Sequence, residues 1–353
     1  MFLLDSHCDT PSQILRLRDL AVDNHHAHVD FPKLRKGGVD GAFFALYTPA
    51  SLSETESYLY ASRLLSGVNR VLKFHSDKAR LATCRSDAYA NKEQGLFSVF
   101  LGLENGAALG NSLERIEAFY DAGVRYITLC HSKDNQICDS CAEGKRWKGL
   151  SPFGKNVIRM MNRLGMLVDV SHIADAAFYD VLEASYYPVV ATHSCCRALS
   201  DHPRNMTDHM IRTLAEAGGV IQINFYPLFL DVRFRKVLED SGIMPAGERI
   251  ENEFIADPSN PERRAAWNKV QDALTALPRP SFRLIADHID HVVSLVGIDH
   301  VGIGSDFDGI EVTPSGLENI SMMPVLFEEL RQRGYKESDL EKIASGNFFR
   351  VLY

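Results

Sequence analysis

Short apolar runs alternate with amphipathic segments along the whole chain. Eight of the runs are rich in β-branched and aromatic residues and are almost continuously apolar, which is typical of strands buried on both faces of a parallel sheet. We therefore predict strands at residues 2–9, 41–48, 96–105, 126–132, 166–172, 188–194, 219–226 and 300–307.

Amphipathic segments of helical length separate these strands. The longest covers residues 53–82 and begins with Ser53 and Glu56 at the spacing of a capping box. A strict alternation of strand and helix implies a parallel sheet with right-handed crossovers, and eight such units favour closure into an α/β fold of the (β/α)8 (TIM) barrel type. Further helices are predicted at residues 111–121, 153–164, 175–184, 208–217 and 281–295.

Residues 228–280 break the alternation with scattered charge and several prolines. We interpret them as an insertion between the strand at 219–226 and the helix that follows it. Such a loop is expected to lie over the C-terminal mouth of the barrel. The chain shows no internal repeat, low-complexity tract or linker, so residues 1–353 are predicted to form one barrel domain.

Composition and charge exclude several classes of partner. The net charge is −8 and no run of Lys and Arg stands out, which disfavours nucleic acid. No apolar stretch approaches the roughly 20 residues that span a bilayer, so we expect no membrane anchor. The N-terminal sequence MFLLDSHCDT lacks the basic and apolar regions of a secretory signal. A cytoplasmic protein is expected, or a periplasmic one if a leader has been removed.

The chain has seven cysteines, and this odd, scattered set is not typical of a disulfide framework. Cys138 and Cys141 form one CxxC pair. A structural zinc site of the four-cysteine type needs a second such pair, which the sequence lacks. We expect reduced thiols.

Residues that can bind metals stand at the predicted carboxyl ends of six strands. Active sites of (β/α)8 barrels form at that end. Within the first strand, His7 and Asp9 are two residues apart, and residues at this spacing point to the same side of an extended chain. The complete set is His7, Asp9, Glu104, His131, Asp169, His172, His193, Asp306 and Asp308.

Each of these residues alone could have a structural role, as a buried histidine or a turn aspartate. Together they form a set of imidazoles and carboxylates that suits zinc, and other divalent metals accept similar sets. A single catalytic zinc needs three protein ligands and a water, so five or more ligands predict two metals. The remaining histidines are interpreted as structural or solvated.

Several segments carry a family resemblance over nearly the whole chain. They are DSHCDTP, GLENG, LCHSKDNQICDS, GLSPFGKNVIRMMNRLGMLVDVSH, VVATHSCCRALSDHPRN and HVGIGSDFDGI. These segments resemble the membrane (renal-type) dipeptidase family of zinc metallopeptidases, which belongs to the amidohydrolase-type barrels. Asn105 departs from the animal members, which more often have glycine there. The absence of a signal peptide and an anchor sequence points to a soluble, bacterial-type member.

The resemblance implies a role for each matching residue. His7 and Asp9 would bind the first of two Zn²⁺ ions, His172 and His193 the second, and Glu104 would bridge them. His131 would stabilise the oxyanion, Arg204 would bind the carboxylate of the substrate, and Asp306 would shuttle a proton and contact the amino group. The implied reaction is hydrolysis of free L-L and L-D dipeptides by a metal-bridging hydroxide, in a homodimer.

Elementary chemistry supports these roles, because metals lower the pKa of bound water and an arginine fork matches a carboxylate. Three points stay open. Asp308 could face the site in place of Asp306. Lys133 is the nearest candidate for a carboxylated bridging lysine, although Glu104 already supplies a bridge, and we interpret Lys133 as a surface residue. The barrel could also be a metallohydrolase of a cyclic amide, lactone or phosphoester, or a non-catalytic metal-binding protein.

Overall fold

The computed structural model describes residues 1–352 and contains nine parallel strands, eight of which form a ring. The order around the ring is β1-β2-β4-β5-β6-β7-β8-β9, and a parallel bridge between Cys8 and Phe307 closes it. The predicted (β/α)8 barrel is confirmed. The strands are β1 (Leu4–Cys8), β2 (Gly41–Tyr47), β3 (Ala79–Leu81), β4 (Phe97–Glu104), β5 (Val124–Thr128), β6 (Leu167–Asp169), β7 (Val190–Ser194), β8 (Val220–Ile223) and β9 (Val301–Ile303).

Helices connect the strands and cover the outside of the ring. They are α1 (Thr10–Leu15), α2 (Phe31–Gly37), α3 (Glu54–Phe74), α4 (Arg85–Glu93), α5 (Glu114–Asp121), α6 (Pro152–Leu164), α7 (Asp175–Ala184), α8 (Asp208–Glu216), α9 (Pro227–Leu230), α10 (Phe234–Ser241), α11 (Ile243–Ala256), α12 (Pro261–Thr275), α13 (Arg283–Val296), α14 (Met323–Gln332), α15 (Glu337–Glu341) and α16 (Asn347–Val351). Within residues 1–352, no helix combines the length and the apolar character that crossing a membrane requires.

Helix α3 starts where the sequence predicts and ends earlier. Ser53 and Glu56 form the capping box, with each side chain bound to the backbone of the other residue. The prediction of one helix over residues 53–82 was wrong, because α3 ends at Phe74 and residues 79–81 form β3, which pairs with the first three residues of β4. A three-residue strand is too short for its alternation to be distinguished from the helical period. Helix α4 was also not predicted.

Two layers of apolar side chains pack against the barrel wall, one inside the barrel and one outside it. The interior layer includes Leu4, Phe43, Phe100 and Tyr126, and the rings of Phe43 and Phe100 lie 4.8 Å apart. Phe348 of α16 closes this layer, with its ring 5.1 Å from that of Phe43. The second layer lies between the strands and the helices. Because side chains fill the interior, a substrate can reach the barrel only at its rim.

Two of the strands contain one extra residue near their carboxyl ends. In β1 the extra residue lies between Asp5 and Cys8, and in β7 it lies between Ala191 and Ser194. Leu4 and Val190 pack in the barrel interior. Strict alternation would send the third residue after each of them to the opposite face. The bulges turn those residues, His7 and His193, back towards the barrel axis.

The segment between β8 and α13 contains the four helices α9 to α12. Its members share a small apolar cluster around Phe234, Leu238 and Leu274. Glu251 of α11 pairs with Arg16 at 3.0 Å, and Asp272 of α12 bonds to His26 at 2.9 Å. The segment therefore contacts the chain that follows β1, next to the carboxyl end of the barrel.

Candidate active site

Glu104, the last residue of β4, lies at the centre of the polar cluster at the rim. Its Oε1 is 3.2 Å from Nε2 of His172 and 3.6 Å from Nε2 of His193. Its Oε2 is 3.3 Å from Nε2 of His7. One carboxylate therefore faces two groups of potential ligands, one on each oxygen.

The first group consists of His7 and Asp9. Nε2 of His7 is 3.4 Å from Oδ2 of Asp9 and 4.0 Å from Oδ1 of Asp306. Nε2 of His7 and Oδ1 of Asp9 are buried and have no hydrogen-bond partner in the described part of the chain. Buried polar atoms without partners are rare, and an aromatic nitrogen that faces carboxylates fits a divalent cation between them.

The second group consists of His172 and His193, whose Nε2 atoms lie 2.9 Å apart. If both rings carry their hydrogen on Nδ1, two lone pairs face each other here, and a cation that both nitrogens bind would relieve the repulsion. His172 follows β6 by three residues and has a left-handed backbone with φ of 70°. Nδ1 of His193 is bonded to Oγ1 of Thr192 at 2.8 Å, which leaves Nε2 as the nitrogen that faces the site.

The electrostatics of the two groups differ. Burial opposes protonation of His7, yet the carboxylates of Glu104 and Asp9 raise its pKa well above the ordinary value. Burial and the charge of Glu104 raise the pKa of Asp9 to about 6. Burial, together with nearby positive groups, lowers the pKa values of His172 and His193 well below the ordinary value. The first group thus favours a positive charge, and the second presents neutral imidazoles, the form that binds metals.

His131 lies beside these ligands, three residues after β5. Its ring is 4.2 Å from that of His172 and 4.8 Å from that of Tyr47, at the end of β2. Its Nε2 is 3.8 Å from Oε1 of Glu104, and its buried Nδ1 has no partner. Burial and the charge of Arg204 lower the pKa of His131 to about 3, so the ring is neutral near neutral pH.

Arg204 is buried next to the histidines, with 7% of its surface exposed. Its Nη2 donates to the carbonyl of His193 at 2.9 Å and its Nη1 to Oγ of Ser194 at 3.2 Å. Its Nε has no partner. Among residues 1–352, this guanidinium bonds to His193 and Ser194 and forms no salt bridge, although buried arginines are almost always paired. The group is available for an anion from outside the chain.

Asp306 lies at the rim with a left-handed backbone, φ of 63°. Its Oδ2 accepts a hydrogen bond from Nδ2 of Asn224 at 2.9 Å, and its Oδ1 faces His7. Burial raises the pKa of Asp306, and the charge of Asp9 adds to the rise, while the charge of His7 opposes it. The structure therefore brings Asp306 to the ligand cluster.

Asp308 points away from that cluster. Its Oδ1 accepts from Nη1 of Arg18 at 3.1 Å, and its Oδ2 accepts from Oγ1 of Thr10 at 3.0 Å. Its backbone N–H donates to Nδ1 of His28 at 2.9 Å. Through these hydrogen bonds, Asp308 holds the turn that contains Asp306 against the segment that follows β1.

Comparison with known proteins gives a consistent result. The chain matches the membrane dipeptidase family, peptidase family M19, over residues 1–353. It belongs to this family. An uncharacterized dipeptidase of Schizosaccharomyces pombe is 30% identical over 99% of this chain and 80% of its own length, and the dipeptidase aclJ of Aspergillus oryzae is 32% identical over 94% and 70%. The chain is thus an M19 metallopeptidase of the dipeptidase type.

Solved structures show the same fold. The probable dipeptidase PvdM of Pseudomonas aeruginosa has a TM-score of 0.82 at 24% identity and covers 100% of this chain and 94% of its own. A metallopeptidase of Rhodobacter sphaeroides, liganded with a phosphinate mimic of the dipeptide L-Ala-D-Ala, has a TM-score of 0.81 at 22% identity, with 100% and 98% covered.

Gly309 makes room for the carboxylates of this M19 site. A β-carbon at this position would overlap Oδ2 of Asp9 and lie 2.7 Å from Oδ1 of Asp306. The glycine therefore allows two carboxylates to approach the same point at the rim, and the sequence motif GSDFDG contains the residue for a steric reason.

Sequence reasoning missed the residues that hold the ligands in place. The hydroxyl of Tyr126 lies 2.8 Å from Nδ1 of His7, on the side away from the cluster. Tyr126 is part of an apolar strand, and its sequence carries no signal of this contact.

Asp169, a predicted candidate ligand, does not reach the cluster but accepts hydrogen bonds beneath it. Lys133 is exposed, as predicted, and all seven cysteines are free.

Proposed function

We propose that this M19 peptidase is a binuclear zinc dipeptidase that hydrolyses free L-L and L-D dipeptides. The single observation that carries the proposal is the buried Arg204 guanidinium without a carboxylate partner beside a double set of metal ligands. An anion in this position and a hydrolytic centre a few ångströms away suit a short peptide with a free C-terminus.

The cation sites would share Glu104. His7 and Asp9 would hold one ion, and His172 and His193 would hold the other. A set of imidazole nitrogens and carboxylate oxygens suits zinc, and manganese, iron or cobalt could take its place. When bound, the two ions would supply a nucleophilic hydroxide near neutral pH and polarise the scissile carbonyl.

Arg204 would bind the C-terminal carboxylate of the dipeptide. The Nε–H of Arg204 has no acceptor among residues 1–352, and its two terminal nitrogens are oriented by His193 and Ser194. A charge-assisted bond between this group and a carboxylate would fix one end of the substrate. Phe229 supports the guanidinium, which lies 5.3 Å from the centre of its ring.

Asp306 and His131 would act on the peptide bond itself. Asp306 has a raised pKa, which suits a carboxyl group that takes a proton from the attacking water and gives it to the leaving amine. From its position at the rim, the carboxylate of Asp306 could also bind the substrate amino group. His131 is neutral and carries one N–H, which can donate to the oxyanion of the tetrahedral intermediate.

Binding at both ends leaves room for two residues. The Rhodobacter sphaeroides structure is liganded with a phosphinate mimic of L-Ala-D-Ala, a dipeptide with a C-terminal D-residue, which supports the inclusion of L-D substrates. A homodimer and a cytoplasmic location stay predictions from the sequence.

The test is a panel of L-L and L-D dipeptides assayed after zinc addition and after chelation, with N-acetylated and C-amidated forms of each. We expect zinc-dependent turnover of the free dipeptides, and almost none of either blocked form. Equal turnover of free and blocked forms would overturn the proposed clamp. Faster turnover of a cyclic amide, lactone or phosphoester would favour a different substrate class.

A further inference from the structure

A chain of hydrogen bonds leads from the barrel wall to His193. Nδ1 of His193 is 2.8 Å from Oγ1 of Thr192, and this hydroxyl is 2.7 Å from Oδ2 of Asp169. All three side chains are completely buried. Asp169 is the last residue of β6, and the other two residues lie in the neighbouring strand β7.

Asp169 can only accept in this arrangement. Four donors point at its two oxygens, namely the hydroxyls of Thr128 and Thr192 and the backbone N–H groups of Ser171 and Thr192. Two hydrogen bonds to each oxygen occupy the four acceptor sites of a carboxylate.

The direction of every bond in the chain follows from this. The hydroxyl of Thr192 has a single hydrogen and gives it to Asp169, so its oxygen must accept from His193. Nδ1 of His193 therefore carries the ring hydrogen, and Nε2 presents its lone pair to Glu104 and His172, at 3.6 Å and 2.9 Å. Only this tautomer can bind a cation through Nε2.

We propose that Asp169, acting through the hydroxyl of Thr192, is a positioning residue that holds His193 in the tautomer and orientation required for a cation. The inference rests on the proposed function, because it assumes a cation at His193. A carboxylate behind a histidine ligand orients the ring and raises the electron density on the binding nitrogen. In this chain a threonine hydroxyl lies between the two groups.

Thr128 offers a matched control. Its hydroxyl donates to the same Oδ2 of Asp169, at 2.6 Å, but no bond connects it to His193. Each of the variants Thr128→Val and Thr192→Val replaces a hydroxyl with a methyl group, so the side-chain shape is kept. Each variant also removes one hydrogen-bond donor from Oδ2 of Asp169. They differ in whether the link to His193 is lost. Thr192→Ser restores that link.

The experiment titrates zinc into the metal-free full-length proteins by calorimetry and measures zinc content after dialysis. Loss of a group behind a ligand weakens metal binding by about 10- to 100-fold. We expect Thr192→Val to lose this much affinity for one of two ions, and Thr128→Val and Thr192→Ser to bind like the wild type.

The outcomes separate the two proposals. Wild-type protein that binds two ions, with Thr192→Val and Thr128→Val equally weakened or equally unaffected, would overturn the role of Asp169 and leave the dipeptidase proposal intact. Wild-type protein that binds no zinc would overturn the proposed function and the relay with it. Circular dichroism of each variant checks that a loss of binding is not a loss of fold.

Discussion

Arg204 donates a hydrogen bond from Nη2 to the backbone carbonyl of His193 at 2.9 Å. The guanidinium that we propose to bind the substrate carboxylate is thus bonded to the backbone of a proposed metal ligand. A movement of Arg204 would therefore also move His193. The distance between the anion-binding group and the hydrolytic centre is therefore set by strand β7 and not by a flexible loop, which favours a substrate of one fixed length.

Replacing Arg204 with methionine should remove the carboxylate contact and keep most of the side-chain volume. A hydrogen bond to a charged group contributes about 1.5–3 kcal/mol, so kcat/KM for free dipeptides should fall by about 10- to 100-fold. Zinc content should stay at the wild-type value. Arg163→Met, which changes an exposed arginine paired with Glu117, serves as the control. Unchanged kcat/KM in Arg204→Met would point to another substrate class.

Asp306→Asn should reduce kcat by about 10²- to 10⁴-fold, the usual contribution of a general acid or base. The variant should still bind zinc, because Asp306 is not assigned as a ligand. Steady-state kinetics and metal analysis of the same preparation check both points.

Asp308→Asn is the companion variant, with the opposite expectation. It should weaken the buried contact with Arg18 and lower the free energy of unfolding by about 1–3 kcal/mol. Dipeptide turnover at low temperature should be much less affected than in Asp306→Asn. If the two variants lost kcat equally, our assignment of the two aspartates would be wrong.

Gly309→Ala should leave the fold intact and reduce zinc binding. The new methyl group would overlap Oδ2 of Asp9 and lie 2.7 Å from Oδ1 of Asp306, so at least one carboxylate must move. Gly67→Ala, in the middle of α3 with its nearest neighbour atom at 3.3 Å, is the control for adding a methyl group elsewhere. Zinc affinity equal to the wild type in Gly309→Ala would show that the rim has more room than the structure indicates.

His288 should make the stability of the protein depend on pH. Burial lowers its pKa to about 4, whereas an unfolded histidine titrates near 6.5. The unfolded chain therefore binds the proton first as pH falls. The contribution of His288 to the free energy of unfolding is complete above about pH 6.5 and decreases towards pH 4, by up to about 3 kcal/mol.

His288→Gln keeps one acceptor for the N–H of Cys196 and one donor for the carbonyl of Leu230, at positions where the imidazole bonds at 3.0 Å and 3.2 Å. Urea unfolding between pH 4.5 and 7.5 should show a smaller loss of stability in this variant than in the wild type. The exposed His209→Gln variant should follow the wild type. Parallel curves for all three proteins would refute the prediction.

Much of the fold could be predicted from the chain itself. The eight barrel strands are nearly continuous apolar runs, and burial on both faces requires this composition. The residues that the structure gathers, from His7 to Asp306, were predicted because all of them follow such runs and the ends of parallel strands meet at one rim. Pattern alone could not show that the strand after residue 124 ends at Thr128, or that His131 and His172 lie three residues beyond their strands.

The sequence by itself thus determined the barrel and the list of candidate ligands, because periodicity and residue type are local properties. The direction in which each side chain points was decided only by the tertiary structure. Counting from Leu4 or Val190 places His7 and His193 on the wrong face, and one extra residue in each strand corrects this. The motif offers Asp306 and Asp308 equally as site residues. Arg18, about 290 residues away in the sequence, bonds to Asp308 and leaves Asp306 at the ligand cluster. Such contacts depend on which distant groups the closed barrel brings together.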